Sequence, residues 1–476
     1  MAVVSVAEHV RAANEARTQC TLSSHGGIAI NYELTATLSR FASGLRYEDI
    51  PERVRDYCKD LLLDALACAL AGHAGEDTSS VSRFVSQLAQ SSESTVIGCG
   101  RLSLTGATML NGFLITAVSM CDVYRPTATH LQPVIVPAAL AIAERDAATG
   151  RDLLVSLVSG FETATRIAAG IDYEAFRKRG WHGPGTIGPF GAAAAVGRLR
   201  GFAPDTMATA FGLAGSQAAG TFAAWGTPSV KFHQFRGALS GLMAALLAEQ
   251  GFVATREFLT ASAGGFYETY CGSSARAAAS SALGSHWEME QIALRPWPTS
   301  AASQGVVTAL FDVIRKHDLT AERTERLLVY VSPACHDAYA SRRTFGGKWE
   351  ASASIHYTAS VVLHDRVLWM GQFERYDDPK LQQFAKERVE LIGDATLRAE
   401  QARVEAHLKD GSVLTAQCNA SKGTPGNPLT RGEIEEKLRR AAVGRLREPQ
   451  VRLVLDAIAR LEDQRSVRPL MEALSV

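Results

Sequence analysis

Trp181-His182-Gly183-Pro184-Gly185-Thr186-Ile187-Gly188-Pro189-Phe190-Gly191-Ala192-Ala193-Ala194 is the stretch whose reading decides the fold. Gly183 to Gly188 spells G-x-G-x-x-G, the pattern of a dinucleotide-binding turn. That fold requires a hydrophobic strand just before the glycines. Here the preceding residues are Phe176-Arg177-Lys178-Arg179-Gly180-Trp181-His182, which is no strand. Pro184 and Pro189 also remove backbone donors that a phosphate loop would use. The glycines instead read as a tight lead into a helix beginning near Pro189. Small residues let helix backbones approach closely, so this helix is expected inside a dense helical core. Its N-terminus offers free N–H groups and partial positive charge, which suits a carboxylate.

Outward from that stretch the helical pattern runs from Tyr32 to about Gly251. Val54, Tyr57, Cys58, Leu61, Leu62, Ala65 and Leu66 recur at three and four residues, one apolar face of a helix. Further helices are expected around 104–119, 132–147, 151–170, 187–199, 205–219 and 236–250. The texture changes near Ala293. Leu327 to Val331 reads as a buried strand, Val389 to Ile392 as another, and Arg403 to Cys418 as a hairpin. Asp410-Gly411 would supply its type I′ turn. Past Lys422–Pro428 the chain turns helical again, with Thr430 and Glu433 spaced as a capping box. The fold class expected is therefore mainly α: a large all-helical domain with an inserted smaller α+β lid domain. The boundaries are an N-terminal extension over 1–31 (with His25-Gly26-Gly27), helical domain 32–292, lid 293–426, and C-terminal helices 427–476 returning to the helical domain.

Bulk properties narrow the function. The chain has 476 residues, 46% hydrophobic and 21% charged, with 49 basic and 49 acidic side chains. A zero net charge argues against non-specific nucleic-acid or membrane binding, which needs a basic surplus. Glu8, His9 and Arg11 interrupt any early apolar stretch, so no secretory leader is expected. The longest apolar run, Val134 to Ala143, is about half the ~20 residues of a bilayer helix. Eight scattered cysteines without a C-x-x-C pair read as reduced thiols of a cytoplasmic protein, and no metal-ligand spacing suggests zinc.

Chemistry-bearing residues cluster in five places. Asp122-Val123-Tyr124-Arg125-Pro126-Thr127-Ala128-Thr129-His130 is a polar loop between two apolar runs. It carries a carboxylate, a phenol, a guanidinium and an imidazole. Proton abstraction beside a carboxylate needs a base with cationic or hydrogen-bonding partners, and this loop supplies several. Set against that is a plain hydrophilic connector. His182 sits beside Trp181 at the glycine-rich turn, where a structural histidine is the bland alternative. Lys231-Phe232-His233-Gln234-Phe235-Arg236 puts three potential cations before a helix, either an anion site or a solvated basic turn. Arg295-Pro296-Trp297-Pro298 marks the change of texture, a joint that is mechanical or borders a cleft. Cys335-His336-Asp337 is rejected as a triad, because neighbouring side chains diverge. Tyr339, with Arg342 and Arg343, is the better substrate contact in that segment.

In this order these segments resemble the MmgE/PrpD family, which includes 2-methylcitrate dehydratase, cis-aconitate decarboxylase and iminodisuccinate epimerase. The similarity runs through His130…Val136–Glu144, Gly180–Ala194, Lys231–His233 to Ala248, Arg295–Pro298 and Asn427–Thr430, nearly the whole chain from about residue 32. The resemblance implies a helical domain, an α+β lid, a homodimer, and a cofactor-free site between the domains. It also implies that His130 and His182 match the family's two active-site histidines. Lys231 or His233 matches its lysine-x-x-histidine region, with the register shifted by one. Arg295 falls where some members have lysine, and Tyr339 matches the lid tyrosine. The chain departs from the family's D-[YF]-D-D-T run, where Met120-Cys121-Asp122-Val123-Tyr124 keeps only Asp122. It also replaces His-Pro-Ser by His130-Leu131-Gln132.

The expected activity is a cofactor-independent lyase, a dehydratase or decarboxylase moving a proton next to a carboxylate of a small di- or tricarboxylate. The catalytic candidates are His182, His130, Asp122 and Tyr339. The carboxylate-holding candidates are Lys231, His233, Arg236 and Arg295. No metal, cofactor, nucleic-acid or membrane partner is expected. Two rivals remain: an epimerase, favoured by the missing aspartate because no water leaves, and a non-catalytic carboxylate-binding homologue.

Overall fold

The computed structural model describes residues 33–476 apart from Ala89 and Ser274, so the expected extension over 1–31 lies outside the described residues. The main helices of the first part are α1 (Leu34–Gly44), α2 (Glu52–Gly72), α3 (Leu104–Thr116), α4 (Gln132–Arg145), α5 (Gly150–Ala169), α6 (Gly188–Leu199), α7 (Pro204–Gly215) and α8 (Phe232–Glu249). They fall within a few residues of the expected spans. On α2 the single apolar face holds only for its start. From Leu61 to Gly72 every residue is buried, because α3 and a C-terminal helix pack around it.

Small residues make this packing possible. A Cβ on Gly160 of α5 would stand 2.7 Å from the Gly191 carbonyl oxygen of α6, and one on Gly241 of α8 would stand 2.4 Å from Ala192 Cβ. Neither distance is tolerable between nonbonded atoms, so the helix backbones touch directly.

The second part carries α9 (Ser303–His317), β1 (Thr324–Val331), α10 (Ile355–Asp365), β2 (Val389–Gly393), β3 (Ala402–Leu408) and β4 (Val413–Cys418). The sheet order is β2-β1-β3-β4, with β1 parallel to β2 and the other pairs antiparallel. Val404, Ala406 and Leu408 face the core as the alternation requires, and α9 packs on β3 and β4. The hairpin turn differs from the expectation. A type I′ turn needs positive φ at both central residues, but only Gly411 has it, at 86°. The Asp410 carboxylate accepts from both the Ser412 N–H and hydroxyl, which holds Asp410 in a right-handed turn ahead of a bulged glycine.

Two hydrophobic clusters result. One draws on residues 34–294 and again on 434–474; the other draws on 306–418. The return is made by α11 (Arg431–Ala442) and α12 (Glu448–Ala459). α11 opens with the expected capping box, Thr430 and Glu433 each accepting the other's backbone N–H. Lys437 of α11 is buried and donates to Asp64 Oδ1 at 2.6 Å and to the Met120 and Arg295 carbonyls. Among the described residues no helix is long and apolar enough to cross a membrane.

Candidate active site

A cavity of about 430 Å³ opens between the two hydrophobic clusters, with wall residues from both. Its floor is the glycine-rich turn. Gly183–Thr186 forms one helical turn ahead of α6. A Cβ on Gly183 would lie 2.2 Å from Thr129 Oγ1, and one on Gly185 would lie 2.2 Å from the Ala219 carbonyl oxygen. The glycines therefore serve close packing against the 129–130 and 217–219 segments. That packing brings His182 and His130 to the same wall.

The two histidines are held differently. His130 Nδ1 meets the Asp122 carbonyl, an acceptor only, so Nδ1 carries the proton and Nε2 keeps its lone pair. Burial first, and the Arg295 charge second, hold His130 down at about 4, so it is neutral at pH 7. His182 Nδ1 faces His233 Nδ1 at 2.9 Å. One of these nitrogens donates and the other accepts, which leaves Nε2 as the ring nitrogen that His182 has free for a ligand. Burial, then the His130 and His233 neighbours, push His182 well below its ordinary range.

Lys231, Arg295 and Tyr339 also line the cavity. Lys231 Nζ donates to the Ala117 carbonyl and lies 4.6 Å from the Trp349 ring centroid, and burial brings it down to about 8. Arg295 is anchored to the Cys121 carbonyl at 2.6 Å and the Thr299 carbonyl at 3.2 Å. Burial raises the Tyr339 phenol above its ordinary value.

Three expected site residues stand elsewhere. Asp122 is buried off the cavity wall, its oxygens accepting from the Leu131 and Gln132 N–H groups at the start of α4. It is a helix cap, and burial raises it to about 8. Its loop is no solvated connector either: Val123–Tyr124 pairs with Ile292–Ala293, which draws the chain inward. His233 lies behind His182 and is not on the wall. Arg236 gives its guanidinium to the Gln217, Gly185 and Ala219 carbonyls and the Ser240 hydroxyl, so it ties the glycine turn to its neighbour and is not on the wall.

Arg125 and Arg342, named in their segments but not among the final candidates, line the cavity, and so does Arg177, which sequence reasoning did not name as a site residue. Arg125 and Arg342 sat in segments already suspect for other residues. Arg177 carried no signal beyond lying near His182. With Lys231 and Arg295 they make five cations on the wall, against one carboxylate, Glu400, among the described residues. Phe222 and Trp225 stack at 5.6 Å, with Arg177 over Phe222 at 3.2 Å and Arg342 over Trp225 at 4.4 Å. Cys121, Asp122 and His130 place ligand-type atoms within 4.8 Å of one another. The Arg295 guanidinium, 3.4 Å from Cys121 Sγ, opposes a cation there. Cys335 is buried on the short helix Pro333–Tyr339, while Asp337 points to solvent, so these adjacent residues form no triad.

The models of the MmgE/PrpD N-terminal and C-terminal domains match residues 36–278 and 297–463. The chain belongs to the MmgE/PrpD family. It is similar to a cis-aconitate decarboxylase-like protein of Aspergillus oryzae, 28% identical over 93% of this chain and 97% of that one. A cis-aconitate decarboxylase of Aspergillus terreus is 27% identical over 93% and 96%. The cis-aconitate decarboxylase of Homo sapiens is 26% identical over 90% and 92%. In all three the likeness to this MmgE/PrpD chain spans both halves of the cavity.

Proposed function

We propose that this MmgE/PrpD protein is a cofactor-independent lyase acting by proton transfer beside a carboxylate of a small di- or tricarboxylate, with the α+β segment as a lid. The observation that carries the reading is the cavity's charge: five cations and two neutral histidines against one carboxylate. An ordinary protein surface mixes both signs, whereas a buried excess of one sign is stable only when a counter-charge enters. The relatives' activity on cis-aconitate supports a substrate of this kind.

Lys231 and Arg295 would hold carboxylates. With the substrate bound, the lone pair on His130 Nε2 takes up a proton from solvent and then delivers it to the carbon from which CO2 has left, or His182 Nε2 takes that role with His233 behind it. A bound polyanion raises both imidazoles toward neutrality, because nearby negative charge favours their protonated form. The substrate thus brings its own acid–base groups into the working range. Asp122 caps a helix off the cavity wall and so stands out of reach of a leaving hydroxide, and decarboxylation, which needs only a proton delivered to carbon, is favoured over dehydration.

Proton NMR in deuterated water, with cis-aconitate, citrate, methylcitrate and iminodisuccinate offered in turn, tests this. The expected result is loss of CO2 and deuterium in the product, falling by about 10²–10⁴-fold in His182→Ala. Deuterium exchange with stereochemical inversion and no unsaturated product would replace the lyase by an epimerase. Binding without any turnover would replace it by a carboxylate-binding homologue.

A further inference from the structure

Among the cavity cations, Arg125 is the one with a buried donor that meets no acceptor among the described residues, and it stacks on no ring there, as Arg177, Arg342 and Lys231 do. Its side chain makes a single hydrogen bond, Nη2 to Ser421 Oγ at 3.3 Å, and its Nε is buried without an acceptor among the described residues. Arg236 uses its guanidinium on four oxygens, and Arg295 is fixed by two carbonyls. Arg125 also sits in repulsive company. Burial is the main penalty on its charge, the Arg295 charge adds to it, and Glu400 offsets this in part. A partly buried guanidinium with unmet donors beside a second cation is unfavourable until an anion joins it.

The position is built. Val123–Tyr124 pairs antiparallel with Ile292–Ala293, so the segments that carry Arg125 and Arg295 are joined in one short ribbon. The Tyr124 hydroxyl donates to Glu288 Oε1 at 2.6 Å, which locks the neighbouring backbone. Ser421 comes from the chain after β4, so Arg125 itself bridges the helical part and the segment that follows the sheet.

We infer that Arg125, backed by Arg295, is a specificity-determining residue that takes one substrate carboxylate which a simple dicarboxylate lacks. The inference rests on the carboxylate reading above and names the class within it: a tricarboxylate is preferred. The planar fork of Arg125 pairs with both oxygens of that group, and the remaining two carboxylates fall to Lys231 and the other wall cations.

Isothermal calorimetry with tricarballylate and glutarate, two unreactive acids on the same five-carbon chain, separates the possibilities. The wild-type protein should bind tricarballylate more tightly. Arg125→Gln should weaken tricarballylate by about tenfold or more while glutarate changes by less than about twofold. Arg125→Lys, which keeps the charge but loses the fork, should fall between and guards against misfolding of the first variant. Equal loss for both acids, or none for either, would overturn the role of Arg125 while leaving the carboxylate reading standing. Failure of the wild-type protein to bind either acid would overturn both.

Discussion

On the helical side of the cavity the two histidines are fixed by hydrogen bonds, His130 to the Asp122 carbonyl and His182 to His233, and Arg236 ties the glycine turn behind them to four oxygens. On the α+β side the groups lean on rings. Arg342 lies over Trp225 and, at 5.4 Å, over Tyr339, while Tyr339 meets Trp225 edge-on at 5.9 Å. Hydrogen bonds specify direction, and stacking tolerates sliding. The first wall is thus preorganised for proton transfer, and the second is suited to settle around a ligand. Histidine orientation on the first wall should matter more than any single contact on the second.

Among changes that leave the cavity wall intact, the largest effect is expected from His233→Ala. It removes the partner that sets the His182 tautomer without touching the cavity wall. The fall in kcat should be on the order of 10–100-fold with KM little changed. An unchanged kcat would break the contrast between the walls, because His182 would then need no orienting group.

Backbone packing gives the next effect. Gly185→Ala drives a Cβ against the Ala219 carbonyl, 2.2 Å away, in a region with no slack. Overpacking of this kind costs about 1–3 kcal/mol. In the hairpin of the α+β region, Gly411→Ala meets no atom within 4 Å and suffers only its φ of 86°, about 1 kcal/mol. Thermal denaturation should show the larger loss for Gly185→Ala, together with reduced activity that Gly411→Ala does not share. Similar losses in both would mean that the glycine turn is no tighter than a surface hairpin.

The same two regions show what the sequence made legible. Helices and strands follow from the spacing of apolar residues, and the Gly183–Gly191 glycines announced close packing. His130, His182, Lys231, Arg295 and Tyr339 were chosen because they sit in matching segments, and all five line the cavity. Asp122, His233 and Arg236 were misplaced for one shared reason. A polar side chain in a suspect loop looks alike whether it faces a ligand or caps the backbone behind it, and only the three-dimensional acceptors decide. Arg125 failed in the opposite direction: what marks it is a lack of partners, which no linear pattern displays. The hairpin turn was misread because Asp410 bonds forward to Ser412, a local choice between turns that Asp-Gly alone leaves open.

A smaller effect follows pH. Lys231 stands at about 8, lowered by burial. It is charged below that value and loses its proton as pH rises through it. The free protein should therefore hold carboxylates well at pH 7, and kcat/KM should fall about tenfold per unit well above pH 8. In Lys231→Arg, which stays charged, that descending limb should move beyond pH 10 even if the absolute rate is lower. A limb that stays near pH 8 in this variant would assign the titration to another group.

The smallest effect is expected from Arg342→Gln. Stacking of a guanidinium on an aromatic ring is worth about 0.5–2 kcal/mol, and this one is shared between Trp225 and Tyr339. Losing it removes one wall cation and loosens the contact between the two parts, so KM should rise by about 3–10-fold while kcat changes less. That split is what a sliding, ligand-following wall produces under the proposed mechanism, in which it holds the substrate while the histidines opposite move the proton. A drop in kcat as deep as that of His233→Ala would show Arg342 to be fixed as firmly as the histidines, and the two walls would no longer differ in kind.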